Sequence, residues 1–197
     1  MLFEKGRTHL DKAQLRRHFR SHRKALKESP QAFAQACLQL AEQVRWFLKD
    51  LSTDSYLFSY RAFGSEAPVP SIEGYRWCYP RMRSEGEMDF YQAHEAQESH
   101  WIQHSMGILE PSGQVCEKVD GEKASVVFVP GVAFDREGFR LGGGLGFYDR
   151  FLASLKKEVL KIGVGFHVQL SSEKLPVDSW DVRLDGLITE KGTIHYL

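Results

Sequence analysis

The sequence predicts an α/β protein in three layers, αβα, with helices on either side of a mostly parallel or mixed sheet. Three observations lead there. Residues 126–129, VVFV, are continuously apolar, as expected of a strand buried on both faces by helices. A second run, IGVGF at 162–166, follows after a glycine-rich stretch and a segment of helical spacing. Strand, loop, helix, strand is the βαβ crossover between parallel neighbours. Upstream, a strongly periodic helix precedes the first of several short apolar runs.

Taken from the amino end, residues 11–28 are polar and basic, with apolar positions only at Leu15, Phe19 and Leu26. That pattern describes a helix resting on the body by a narrow stripe. Ser29-Pro30 then offers an N-cap followed by proline at the first helical position. Phe33, Cys37, Leu40, Val44, Phe47, Leu48 and Leu51 share one face of the helix that follows. Runs at 56–60, 75–79, 88–91, 125–129, 162–166 and 184–189 read as strands. Between the fourth and fifth, residues 147–158 carry Phe151, Leu152 and Leu155 at helical spacing, with Val159 just beyond. The polar stretch 110–123, with Pro111, Gly113 and Gly121, reads as a mobile loop. No internal repeat or low-complexity tract interrupts the chain, and residues 1–197 are taken as one domain.

Composition narrows the function classes. Lysine plus arginine total 26 and aspartate plus glutamate total 26, so the formal charge is zero. A general binder of nucleic acid or anionic membrane would be basic. Aromatic residues at 12% provide material for a sizeable core, which argues against disorder. No stretch approaches a membrane span, and the start MLFEKGRTHLDKAQLRR lacks the apolar run of a signal peptide. Cys37, Cys78 and Cys116 are odd in number and widely separated, so they suit a reducing compartment and structural roles. The expectation is a soluble cytoplasmic protein.

Chemistry is expected where strands end and helices begin. Five of the nine residues from 138 to 146 are glycine. Without Cβ atoms, such a loop lets backbone N–H groups close on an anion. A helix starting near Phe147 adds its positive end, and Arg140 and Arg150 flank the loop. Asp149 places a hard oxygen ligand beside this phosphate site, which suits Mg²⁺. The GxGxxG and Walker patterns are both absent. The plainer alternative, a tight connection that only needs flexible residues, does not account for the arginines. Lys12 and Arg16 share a helix face, continued by Arg20 and Arg23. Alone, that face is solvated surface; it matters only if the helix folds back over the loop. His94, His100 and His104 lack the companions of a metal site. Asp181 or Asp185 caps a turn or completes a metal site with Asp149, and Glu66, in a Gly-Ser-Glu turn, either holds ligand N–H groups or is a solvated acid.

Residues 130–152, PGVAFDREGFRLGGGLGFYDRFL, resemble the signature of 5-formyltetrahydrofolate cyclo-ligases, P-x-x-A-F-D-x-x-G-x-R-L-G-x-G-x-G-[YF]-Y-D-x-x-L. The resemblance extends to Lys12-x-x-x-Arg16, CYPR at 78–81, GILEP at 107–111 and the tail 168–189, and so spans almost the whole chain. It implies a Rossmann-like fold and an ATP- and Mg²⁺-dependent cyclisation of 5-formyltetrahydrofolate to 5,10-methenyltetrahydrofolate, releasing ADP and phosphate. By the same match, Lys12 and Arg16 contact ATP phosphates. The segment Arg140, Leu141, Gly142, Gly143, Gly144, Leu145, Gly146, Phe147 and Tyr148 surrounds the rest of the triphosphate. Asp149 and Asp181 correspond to Mg²⁺ ligands, Glu66 to the acid that holds the pterin, and Phe147 to an aromatic bordering the folate. Arg140 is expected to be the catalytic charge stabiliser. The implied partners are ATP and 5-formyltetrahydrofolate, with no nucleic acid and no membrane, acting on a monomer.

Three departures from the family pattern stand out. Leu145 occupies a position where lysine is common, so a phosphate-facing cation is missing or supplied by Arg150. Phe147 replaces the more frequent tyrosine. Arg61 aligns with an apolar residue of the folate pocket and is counted among the substrate-binding residues. Two rival readings follow: an ATP-dependent enzyme of this fold with another formyl- or acyl-amine substrate, and a non-catalytic nucleotide- or folate-binding module.

Overall fold

The computed structural model describes residues 11–83, 86–104 and 107–196. The amino-terminal start read for signal content lies partly outside them, at residues 1–10.

Helix α1, Lys12–Lys27, opens with a reciprocal cap: Asp11 Oδ1 accepts the Gln14 N–H at 2.7 Å, and Gln14 Oε1 accepts the Asp11 N–H at 2.8 Å. Helix α2, Pro30–Leu48, begins with proline as expected, although the Ser29 side chain makes no capping bond. The strands are β1 (Tyr56–Phe58), β2 (Arg76–Met82), β3 (Met88–Gln92), β4 (Trp101–Gln103), β5 (Leu109–Pro111), β6 (Glu117–Val119), β7 (Ala124–Pro130), β8 (Ala133–Phe134), β9 (Arg140–Leu141), β10 (Leu160–Val164), β11 (Gly186–Thr189) and β12 (Gly192–His195). The third helix, α3, is Phe147–Ser154.

Eight strands form one sheet in the order β12-β11-β10-β7-β1-β2-β3-β6. The five from β11 to β2 run parallel, and antiparallel strands close both edges. The alternation along β7 explains the layers. Val126 and Phe128 point to one face with Leu40, Val44 and Leu48 of α2. Val127 and Val129 point to the other with Leu152 of α3. The expected three-layer arrangement is therefore present, and VVFV is its doubly covered central strand.

Two segments differ from the sequence reading. The stretch 110–123 is structured: it contains the end of β5, the edge strand β6 and a 3-10 turn at 121–123. The ladder to β3 holds β6, with Val119 opposite Phe90 and 3% exposed. Three residues at a sheet edge are too few to show a period. Helix α3 stops four residues before Glu158 because the chain becomes extended at Leu155 (φ −78°, ψ 152°), and Val159 is buried on the way into β10.

Phe134, fully buried, lies among three glycines. A Cβ at Gly131, Gly163 or Gly165 would come within 2.5, 2.8 and 2.7 Å of its ring. Gly163→Ala is expected to cost about 1–3 kcal/mol through overpacking, lowering the melting temperature by about 2–12 °C. Calorimetry checks this, and an unchanged transition would show that the ring has room to move.

Candidate active site

The chain leaves β1 toward β2 on one side and leaves β7 toward β10 on the other. Their adjacent carboxyl ends therefore form a topological switch point, where ligand crevices occur in open α/β sheets. A cavity of about 610 Å³ opens there, between Tyr60 and Arg61 after β1, Tyr79, Pro80 and Met82 of β2, and Pro130 and Gly131 at the end of β7.

Helix α1 lies across this opening. Leu15 and Phe19 pack on Val132, Ala133, Leu141 and Leu175, which fixes the narrow apolar stripe and turns the basic face inward. Lys12, Arg16, Arg20 and Arg23 all line the cavity. The condition set by the sequence reading, that this helix fold back over the glycine loop, is met. Arg16 Nε donates to the Gly142 carbonyl at 2.9 Å. Lys12 Nζ lies 2.6 Å from Asp178 Oδ2 and 2.7 Å from Asp181 Oδ2. Burial alone would lower the Lys12 pKa, but the two carboxylates outweigh it and hold the ammonium above its ordinary value.

The glycine-rich stretch divides in two. Gly138 belongs to the β8–β9 hairpin turn, where its φ of +93° and the close Leu184 carbonyl oxygen exclude a side chain. Residues 142–146 form the loop beside α1. A Cβ at Gly142 would lie 2.6 Å from Arg140 Nη1, so a side chain there would displace the guanidinium. The Arg140 side chain is only 4% exposed and passes beneath the loop, with Nη2 3.0 Å from Asp149 Oδ1. Its Nε makes no hydrogen bond. Burial lowers the guanidinium pKa, opposed by Asp149, Tyr148 and Asp181. The Tyr148 hydroxyl is also buried without a hydrogen-bond partner, and burial raises its pKa, with Glu66 adding to the effect.

Leu141, Gly143, Gly144, Leu145, Gly146 and Phe147 line the same cavity, as do Glu66 and Arg61. Every residue singled out for the site is therefore at one crevice, except Gly138, Arg150 and Asp185. Arg150 donates to the carbonyls of Gly86 and Leu145, at 2.7–2.9 Å, so it braces the loop from outside and does not replace a cation at Leu145. Asp185 accepts the Lys161 N–H at the amino ends of β10 and β11, away from the crevice. His94 and His100 bond to each other, the His94 N–H donating to His100 Nδ1 at 3.0 Å, and no metal-binding cluster of three His, Cys, Asp or Glu occurs among the described residues.

Sequence reasoning missed Asp178, Trp180 and Glu110. Asp178 and Asp181 carried a signal in their spacing, because the Asp178 N–H donates to Asp181 Oδ2 in a turn that aims both carboxylates at Lys12. Trp180, 67% exposed, borders the cavity beside them. Glu110 is 5% exposed and accepts the Met82 N–H at 3.2 Å, a role nothing local announces.

Burial pushes the Glu66 carboxyl above its ordinary 4.5, against the Phe63 N–H and the charge of Arg23. An acid with a raised folded pKa favours the folded state below its unfolded pKa, and that contribution is lost as pH rises through the folded value. Glu66→Gln should therefore gain stability relative to the natural protein as pH is raised from acid to neutral. Thermal melts across that range test it, and parallel curves would refute it.

The fold and the crevice define a three-layer α/β protein with a cation-lined, glycine-bordered cleft at its switch point. The model of the 5-formyltetrahydrofolate cyclo-ligase family matches residues 8–190, and the chain belongs to that family. It is 35% identical over 134 residues to a probable 5-formyltetrahydrofolate cyclo-ligase of Schizosaccharomyces pombe, covering 62% of this chain and 65% of that protein. It is 36% identical over 107 residues to the 5-formyltetrahydrofolate cyclo-ligase of Escherichia coli, covering 54% and 57%. The chain thus spans less than two thirds of these relatives' length in the aligned stretches. Among solved structures, a 5,10-methenyltetrahydrofolate synthetase of Aquifex aeolicus superposes with a TM-score of 0.72 at 30% identity, covering 94% of this chain and 92% of that one. One from Mycoplasma pneumoniae gives 0.74 at 24% identity, covering 92% and 99%, a likeness of fold.

Proposed function

We propose that the protein is an ATP-dependent 5-formyltetrahydrofolate cyclo-ligase, acting as a single-domain monomer in the cytoplasm. The observation that carries the reading is the convergence of Lys12, Arg16 and Arg140 on the glycine loop, opposite Glu66, in a chain of this family. One chain supplies all of these residues, which suits a monomer. Three unpaired cysteines suit a reducing compartment. A formal charge of zero speaks against nucleic acid as a partner, and no described helix is long and apolar enough to cross a membrane.

In the reaction, the N5-formyl oxygen attacks the γ-phosphorus and the bond to ADP breaks. N10 then adds to the formyl carbon, the carbon–oxygen bond breaks, and phosphate leaves with the formyl oxygen and the N10 proton. No protein nucleophile is needed. Phosphoryl transfer is helped by positioning and by cancelling charge on the transferring group. Lys12 and Arg16 hold phosphate oxygens, with the N–H groups of the loop. Arg140 is catalytic in this scheme: its unused Nε and its burial make it a strong, already desolvated charge. Glu66 accepts from the pterin N–H groups, and Phe147 borders the folate.

Mg²⁺ fits the donor set. Asp149 and Asp181 are carboxylates on the cavity wall, each already held by a cation that phosphates would attract. With no three-residue cluster among the described residues, the ion would take its other ligands from phosphate and water, as Mg²⁺ commonly does. When bound it supplies further neutralisation of the triphosphate.

The test is a spectrophotometric assay of purified protein with 5-formyltetrahydrofolate, ATP and Mg²⁺. The near-ultraviolet absorbance of the methenyl product should rise only with all three. Binding of Mg-ATP without such a rise would move the assignment to another acyl-amine substrate.

A further inference from the structure

Arg61 stands three residues beyond β1, half-buried in the cavity wall. Its guanidinium carbon lies 4.3 Å from the centroid of the Trp101 ring. Its Nη1 is buried and has no hydrogen-bond partner, and no described acid forms an ion pair with it. Lys12, Arg16, Arg23 and Arg140 line the same cavity and are each held by a carboxylate or a carbonyl, and Arg20, which also lines it, is exposed to solvent. Arg61 has only an aromatic face.

Keeping a guanidinium donor out of water without an acceptor is costly, and such a group is relieved by a ligand oxygen. The Trp101 ring holds one side of the guanidinium by cation–π attraction and offers Nη1 no acceptor. A planar fork held in this way suits a carboxylate. In the folate substrate the pterin and the aminobenzoyl group are neutral; the negative charge lies on the glutamyl carboxylates. The triphosphate has its own cations on α1 and the glycine loop.

We propose that Arg61 is a specificity-determining residue that binds a glutamyl carboxylate of the folate, an inference that rests on the cyclo-ligase reading. It gives the crevice two anion sites with separate purposes, one for phosphate and one for the tail of the acceptor substrate.

The experiment compares 5-formyltetrahydrofolate with 5-formyltetrahydropteroate, which lacks the glutamate. Binding to the natural protein, Arg61→Leu and Arg61→Lys is read by quenching of tryptophan fluorescence, with turnover of the natural protein measured separately. The natural protein should bind the glutamate form about 10- to 100-fold more tightly, the scale of a charge-assisted contact. Arg61→Leu should lose that preference while holding the pteroate form within about twofold, and Arg61→Lys should retain part of it. Equal weakening of both ligands, or unchanged preference, overturns the proposal. Turnover without glutamate preference refutes the role of Arg61 alone. Preference that depends on Arg61 without turnover refutes the cyclo-ligase reading and leaves the carboxylate site standing. Failure of the natural protein to bind either ligand refutes both.

Discussion

Arg140→Ala is expected to reduce turnover by about a thousandfold or more, with a much smaller change in the affinity for Mg-ATP. Removing a charge that acts chiefly in a phosphoryl-transfer transition state has effects of about that size. Three structural facts direct this loss to turnover. The guanidinium is nearly inaccessible to water, so its field is weakly screened. Asp149 and the packed loop set its position before any ligand arrives. Lys12 and Arg16, the residues assigned to the nucleotide in the proposed scheme, still line the cavity. Arg140→Lys should recover only part of the rate, because an ammonium at the end of a flexible stem cannot reproduce the guanidinium's fork. Steady-state kinetics with ATP varied separates the two effects. If Arg140→Ala raised only the KM for ATP, the residue would be a binding group and the proposed catalytic role would be wrong.

Asp135→Ala should be the most damaging single change to stability outside the apolar core. Its carboxylate is 1% exposed and accepts three backbone N–H groups: Glu137 at 3.0 Å, Phe139 at 2.9 Å and Leu175 at 3.0 Å. The first two close the β8–β9 turn and the third ties in a segment 40 residues away. Alanine leaves three donors without their acceptor, a loss of about 3–5 kcal/mol, or about 6–20 °C in melting temperature. Asp135→Asn keeps one acceptor oxygen and should lose less. Because the hairpin carries Arg140, activity should also fall at temperatures where the variant is still folded. A melting temperature unchanged by Asp135→Ala would show that water replaces the carboxylate.

These two residues illustrate what a sequence discloses. Asp135 and Arg140 fall in one glycine-rich signature, and the resemblance identifies both positions without separating their work. Geometry does so, directing one side chain into a turn and the other beneath the loop. The βαβ centre was legible because VVFV and IGVGF are buried on both faces and show it in composition. β6 was not, because a three-residue edge strand is specified by its partner β3 rather than by its own period. Gly138 looked like part of an anion loop because glycine content does not distinguish a hairpin turn from a cradle. Arg150 misled for a related reason: its charge is visible in sequence, but its carbonyl partners at Gly86 and Leu145 are not. Glu110 and Asp178 depend on contacts distant along the chain, Glu110 on a backbone N–H 28 residues away and Asp178 on a lysine 166 residues away.

That last contact bears on how the molecule reaches its working form. Lys12 meets Asp178 and Asp181 across 166 and 169 residues. Closing so long a loop carries an entropic cost that local strand pairing does not. The βαβ piece formed by β7, α3 and β10 is local in sequence, whereas the cation-lined end of the crevice exists only after α1 has docked against the segment before β11. On the cyclo-ligase reading, catalytic competence is an end-of-folding property: an intermediate with a finished sheet and an undocked first helix would be nearly native by its core and inert by its chemistry.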